Sequence, residues 1–318
     1  MGNTLMWSVF AIGVLAVLAL DLGVLNRKAH APSLREAATW SGIWVGLSAL
    51  FGVWVFFSKG PNPGMQFTTG YLIELSLSVD NVFLFAILFG HFKVPRRYQH
   101  RVLFWGIVGA VIMRGIMIAV GTSLIARLEW IIYVFGAFLI ITGVRMFLHR
   151  NKEVDVSEMW VYRVLSRRLR LSPDFDGQKF FTTKDGVRFA TPLLLVLVLV
   201  ELTDVMFAVD SIPAVLAISQ DPFIVFTSNI FAILGLRSFY FMLAGVMGMF
   251  EYLTVGLSGV LIFVGFKMLR IVHFDVGASL GIVAAMLGTA IVCSILKAQR
   301  TGRHAKHGAH HQMDAEEE

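Results

Sequence analysis

Apolar residues run along this chain in stretches long enough to cross a bilayer, broken at short intervals by proline, glycine and charge. Read by those runs, helices fall at roughly 5 to 25, 37 to 57, 68 to 90, 102 to 124, 128 to 148, 191 to 218, 223 to 245, 253 to 272 and 276 to 297. Connections such as Lys59-Gly60-Pro61-Asn62-Pro63-Gly64 and Gln220-Asp221-Pro222 punctuate them. The pattern predicts an all-α polytopic membrane protein of about nine transmembrane helices. The first run lacks the basic flank and small-residue cleavage site of a signal peptide, so it is expected to stay as a helix.

Composition narrows the class. Of 318 residues, 57% are hydrophobic and 15% charged, against about 25% charged in soluble domains, and the mean hydropathy is +0.73. A soluble enzyme is excluded. The net charge of +6 has a topological meaning, because 20 of the 27 Lys and Arg residues fall in alternate connections. These are the first loop (Arg27, Lys28, Arg35), the third (Lys93, Arg96, Arg97, Arg101), the long fifth from 149 to 190, and the tail. The opposite side holds only Lys59, Arg127 and Arg270. By the positive-inside rule the N-terminus is expected outside and the C-terminus in the cytoplasm. With the bases so explained, no nucleic-acid partner is expected. The lone cysteine, Cys293, leaves no internal disulfide or cysteine-based cluster.

The domain reading is a transmembrane transport unit over 1–297 and a disordered His-rich and acidic cytoplasmic tail over 298–318. Within the cytoplasmic 149–190 loop, Ser157 to Leu171 mixes Trp160, Val161, Val164, Leu165 and Leu169 with four arginines, as an interfacial helix does. Phe180 to Phe189 reads as a hairpin turning at Asp185-Gly186. Asp174-Phe175-Asp176-Gly177 is not a calcium loop, since its glycine comes early and no acid closes it.

Helices three to five resemble helices six to eight. Gly143-Val144-Arg145-Met146 matches Gly265-Phe266-Lys267-Met268 at an offset of 122, Arg114 matches Arg237 at 123, and Glu74-Leu75 matches Glu201-Leu202 at 127. Three helices is an odd number, so the second unit must insert upside down. Inverted repeats of this kind place a transporter's substrate near the midplane.

Carboxylates stand where hydrocarbon is expected. Helix three carries Glu74-Leu75-Ser76-Leu77-Ser78-Val79-Asp80-Asn81, and helix six carries Glu201-Leu202-Thr203-Asp204 followed by Asp210-Ser211-Ile212-Pro213. Each acid near a span centre costs roughly 2.5 to 3.5 kcal/mol on the insertion scale, so the five together need a neutralising partner. Protons, the intramembrane Arg114, Arg145, Arg237 and Lys267, or a bound cation are the candidates. One reading makes the acids structural ion pairs between helices. The other makes them ligands: five acids flanked by Ser78, Asn81 and Ser211 offer more oxygens than four bases consume, and hard divalent cations prefer such a set. Neither helix contains His or Cys. At about 100° per residue Asp210 lies opposite Glu201, and Pro213 is expected to break helix six so that the acids can converge. Glu74, Ser78 and Asn81 share one face of helix three. Asn229 and Arg237 in helix seven line a path or tie neighbouring helices, and Asp21 reads as structural.

The two acidic motifs, Glu74 to Phe83 and Glu201 to Pro213, resemble the paired signatures of the TerC family, closest to its Alx branch. Thr69-Gly70-Tyr71-Leu72, Asp221-Pro222-Phe223-Ile224 and Ser228-Asn229 extend the similarity over nearly the whole transmembrane region. The family is named for a tellurite-resistance association. The resemblance implies manganese efflux across the bacterial inner membrane, with metal ligands at Glu74, Asp80, Glu201, Asp204 and Asp210.

The expectation is therefore an exporter working by alternating access, with Mn²⁺ as transported substrate, no cofactor and no catalytic residue, and protons competing for the carboxylates. The rival is a membrane scaffold or insertion factor linked to tellurite resistance or pH stress, in which the acids only organise helices. An oxyanion carrier is disfavoured by five acids, an intramembrane aspartyl protease by the absence of its Gly-Asp motif, and an ATP-driven pump by the absence of a nucleotide loop.

Overall fold

Turn chemistry at the junctions sets where the helices begin. Ser33 accepts a hydrogen bond from the Glu36 N–H at 3.2 Å, an N-cap for the second helix. Gly60, at φ +104°, turns the chain where a side chain would be strained, and Pro61 then opens the third helix. Pro192 and Pro222 start two later ones, and Asp221 Oδ1 accepts from the Phe223 N–H at 2.9 Å.

The computed structural model describes residues 2–20, 33–149, 162–164, 170–184, 186–243 and 252–316. Its helices are α1 (Gly2–Leu20), α2 (Leu34–Lys59), α3 (Pro61–His91), α4 (Arg96–Arg127) and α5 (Ile131–Leu148), then α6 (Pro192–Leu216), α7 (Pro222–Leu243), α8 (Leu253–Met268) and α9 (Val276–Glu316). Between α5 and α6, strands β1 (Phe181–Lys184) and β2 (Val187–Ala190) pair antiparallel, Phe181 opposite Ala190 and Lys184 opposite Val187. Seven helices among the described residues are long and apolar enough to cross a membrane, α9 through its 276–297 part. Thr4–Val17 of α1 and the whole of α8 are shorter apolar helices. Asp21, Arg27, Lys28 and most of the 157–171 stretch lie outside the described residues.

One expectation changes. Helix α6 is not broken at Pro213: it runs from Pro192 to Leu216 with the proline inside. Pro213 stands only three residues from the helix end, so the hydrogen bond it forgoes falls in the last turns, and packing holds the rest.

Helices α3 and α6 cross the middle antiparallel, since Ser219 just beyond α6 donates to Gln66 near the start of α3 at 2.8 Å. On one side α4 packs on α6, α3 on α7, and α4 on α7; on the other, α5 and α8 pack on each other. Helix α2 covers α3 and α7, and α9 covers α3 and α8. A Cβ on Gly143 would lie 2.8 Å from both Ser258 O and Ile262 Cγ1, and one on Gly265 would lie 2.8 Å from Gly136 O and 2.7 Å from Ile140 Cγ1. The bare glycines let α5 and α8 touch backbone to backbone.

One apolar cluster joins Ile73, Leu77, Ile212, Leu216, Leu257 and Leu261. A second joins Phe85, Phe89, Leu103, Val196, Leu199 and Tyr240. Between them lies a buried polar belt containing Glu74, Ser78, Asn81, Arg114, Thr203, Asp204, Ser211 and Asn229. Apolar packing on both sides excludes water from this belt, so its charges must find partners within the protein.

Candidate metal and ion-pair centre in the helix core

Arg114, from α4, is the centre of the belt. It is 1% exposed, and its fork reaches four neighbours. Nη1 bonds Glu74 Oε2 of α3 at 2.5 Å, Nη2 bonds Asp204 Oδ1 of α6 at 3.1 Å, and Nε bonds Asp204 Oδ2 at 3.3 Å. Nη1 also reaches Asn229 Oδ1 of α7 at 3.2 Å and Ser211 Oγ of α6 at 3.5 Å. Asn229 Nδ2 in turn donates to Glu74 Oε1 at 2.6 Å, and Asn81 Nδ2 to Asp204 Oδ1 at 3.4 Å. Two carboxylates and one guanidinium leave this knot one negative charge in excess when both acids are ionised.

The other acids stand apart from it. Six residues separate Glu74 from Asp80 and Asp204 from Asp210, about 9 Å along a helix. Because α3 and α6 are antiparallel, Asp80 and Asp210 are displaced to opposite sides of the Arg114 level. Asp80 faces Thr254 of α8. Asp210 Oδ1 accepts from Thr142 Oγ1 of α5 at 3.3 Å, with Arg145 near enough to attract it. Glu201, about 4.5 Å from Asp204 along α6, lies against the bare backbone of Gly109 on α4, where any side chain would collide with its carboxylate. Among the described residues, no Lys or Arg is within ion-pair distance of Asp80, Glu201 or Asp210.

The five acids thus do not meet at one point, and among the described residues no three His, Cys, Asp or Glu side chains converge as a cage. They form a series of stations spread along the antiparallel α3–α6 pair. Arg114, expected as an accessory, is the main charge partner of Glu74 and Asp204. Arg237 does not take the matching role: its Nη1 lies 3.4 Å from His100 Nε2, and it lines a small cleft beside Asp204 with Phe85 and Leu103. Lys267 donates to Ser279 of α9 at 2.6 Å. Ser78, Asn81, Ser211 and Asn229 are all buried in the belt. Thr142 and Thr254 were not found from sequence; a threonine in an apolar span carries no distinguishing signal until the facing acid is known.

The Integral membrane protein TerC family model matches residues 59–303. An uncharacterized membrane protein of Myxococcus xanthus is 54% identical over 306 residues, covering 96% of this chain and 95% of the relative. A protein of Escherichia coli (strain K12) named "Putative membrane-bound redox modulator Alx" is 46% identical over 316 residues, covering 96% and 98%. An uncharacterized membrane protein of Rickettsia bellii is 38% identical over 293 residues, covering 92% and 97%. No solved structure matches. On the family match and on identities that extend almost end to end, the chain belongs to the TerC family of integral membrane proteins.

Proposed function

We propose that this protein is an inner-membrane exporter of Mn²⁺, a carrier and not an enzyme, in which the cation passes between the α3/α6 pair and the helices that flank it. The N-terminus is outside and the C-terminus cytoplasmic. The observation that carries the reading is the series of three carboxylates, Asp80, Glu201 and Asp210, held in apolar spans with no Lys or Arg in ion-pair contact among the described residues, Arg145 acting on Asp210 only from a distance. A purely structural role would pair them, because an unpaired acid is costly at that depth. Oxygen-only stations suit hard divalent cations, and protons compete for the same oxygens.

The packing supports two inverted three-helix units, with a register different from the one the sequence suggests. Glu74 of α3 bonds Asn229 of α7, and Asp204 of α6 bonds Arg114 of α4. Asp80 reaches α8 and Asp210 reaches α5. Gly143 meets Ser258 and Ile262, while Gly265 meets Gly136 and Ile140, three pairs at a common offset of 122. Read this way, Glu74 corresponds to Asp204 and Arg114 to Asn229. The longer α3–α4 arm explains why no single offset aligns the units.

The redox wording attached to the Alx relatives finds one thiol here, Cys293, so no dithiol pair is available within the chain. The test is metal content of cells lacking their own manganese exporters, expressing this protein or Asp80→Asn at matched membrane levels, with Mn, Mg, Ca, Zn and Te measured together. A selective fall in manganese that the variant loses is expected. Unchanged metals would favour the scaffold role.

A further inference from the structure

The buried knot uses a side chain of the protein itself as its cation, and it leaves one oxygen over. The Asn81 amide is 1% exposed, and its Nδ2 donates to Asp204 Oδ1. The reverse orientation would set oxygen against oxygen, so the bond fixes which way the amide points. Asn81 Oδ1 is then buried without a hydrogen-bond partner, beside a carboxylate in a cluster with excess negative charge. A buried acceptor in this position is poorly served by apolar neighbours and well served by a cation.

We propose that Arg114 is a tethered cation competing with the transported divalent metal for Glu74 and Asp204, and that Asn81 Oδ1 is a neutral ligand the metal gains once the guanidinium leaves Asp204. This rests on the transport reading above. Either cation satisfies the same two carboxylates, and the two cannot share them: Arg114 already engages both oxygens of Asp204 and one of Glu74. The consequence concerns the return half of the cycle. With the guanidinium bound, the carboxylates are not left as a bare pair of charges in an apolar belt, so the carrier can reorient without cargo. Net export therefore needs Arg114, whereas metal-for-metal exchange, in which the site is refilled by metal, does not. Arg114 is in this sense a positioning residue for the empty carrier and a competitor for the loaded one.

The test uses the full-length protein, purified and reconstituted, with Mn²⁺ alone as probe at pH 8, where protons compete least. Binding is read from the signal of free aqueous Mn²⁺ in detergent; net efflux and Mn²⁺–Mn²⁺ exchange are read in liposomes. Arg114→Met is expected to bind Mn²⁺ about tenfold more tightly, the factor at the low end of couplings between close charge pairs. It should lose net efflux and keep exchange. Arg114→Lys, whose single ammonium cannot fork across both carboxylates, should fall between on both measures. Affinity that is unchanged or weaker, or efflux and exchange lost in equal proportion, overturns the proposal. If the Met variant does not assemble, the Lys variant decides, and wild-type affinity in it overturns the competition. A native protein that binds no Mn²⁺ would instead overturn the transport reading itself.

Discussion

Placing a methyl group on the α5–α8 seam should pry that seam apart by a calculable amount. A Cβ on Gly143 would be 2.8 Å from the Ser258 carbonyl oxygen, and ordinary contact begins at 3.4 Å, so Gly143→Ala must move backbone by about 0.6 Å. Overpacking of that kind costs about 1 to 3 kcal/mol. Alanine's better helix propensity returns about 0.5 to 1 kcal/mol, which leaves a net loss of roughly 0 to 2.5 kcal/mol, against a gain where the methyl is free. Gly265→Ala meets the matching backbone atom, Gly136 O, at the same 2.8 Å and should lose a similar amount. The double variant should cost less than the sum, because helices separated for one methyl are already separated for the other. Gly281 and Gly288 on α9 have open space where a Cβ would go, so alanine there should be neutral or stabilising. Reversible unfolding in mixed micelles measures all five proteins against the native one. Gly143→Ala as harmless as Gly281→Ala would refute the backbone contact, and a cost at only one of Gly143 and Gly265 would refute the symmetry of the seam. The seam also has functional reach, since Thr142, the donor to Asp210, is the residue next to Gly143.

Asp204→Asn replaces a carboxylate that accepts from Arg114 twice and from Asn81 once; by the same unfolding measurement it should cost about 3 to 5 kcal/mol, as removal of one partner from a buried ion pair does, and a loss below about 1 kcal/mol would contradict the charge assignment. Lys59→Met breaks a pair of similar length, Lys59 Nζ to Asp221 Oδ2 at 3.0 Å, but its side chains are 18% and 39% exposed. Solvent screening limits that loss to less than about 1 kcal/mol, and a larger one would show that this junction clamps the end of α2 to the start of α7.

Much of the architecture was legible in linear order because crossing hydrocarbon demands about 20 apolar residues per helix wherever the chain goes. That requirement acts on each segment separately, which is why the apolar helices and the polar belt residues Glu74, Asn81, Asp204 and Ser211 could be read before any packing was known, although among the described residues seven of the nine expected spans are long and apolar enough to cross. Pairing across helices could not. Glu74 and Glu201 begin similar strings, Glu-Leu-Ser and Glu-Leu-Thr, so local likeness matched them, whereas the structure gives Asp204 the place opposite Glu74 on Arg114. Arg114 and Arg237 share a residue type and match in sequence at an offset of 123, yet one lies in the dry knot and the other beside His100.

The sequence by itself determined a TerC-family chain of apolar helices carrying acids at membrane depth, because span length and the cost of buried charge are properties of single segments. Only the tertiary structure decided which acids are neutralised internally. Helix rotation and the close α5–α8 approach set which oxygens face which donors over 3 Å distances, and those distances are sums over several helices that no one segment encodes. The result is that Glu74 and Asp204 are tied to Arg114, while Asp80, Glu201 and Asp210 have no basic residue in ion-pair contact among the described residues, Arg145 acting on Asp210 only from a distance.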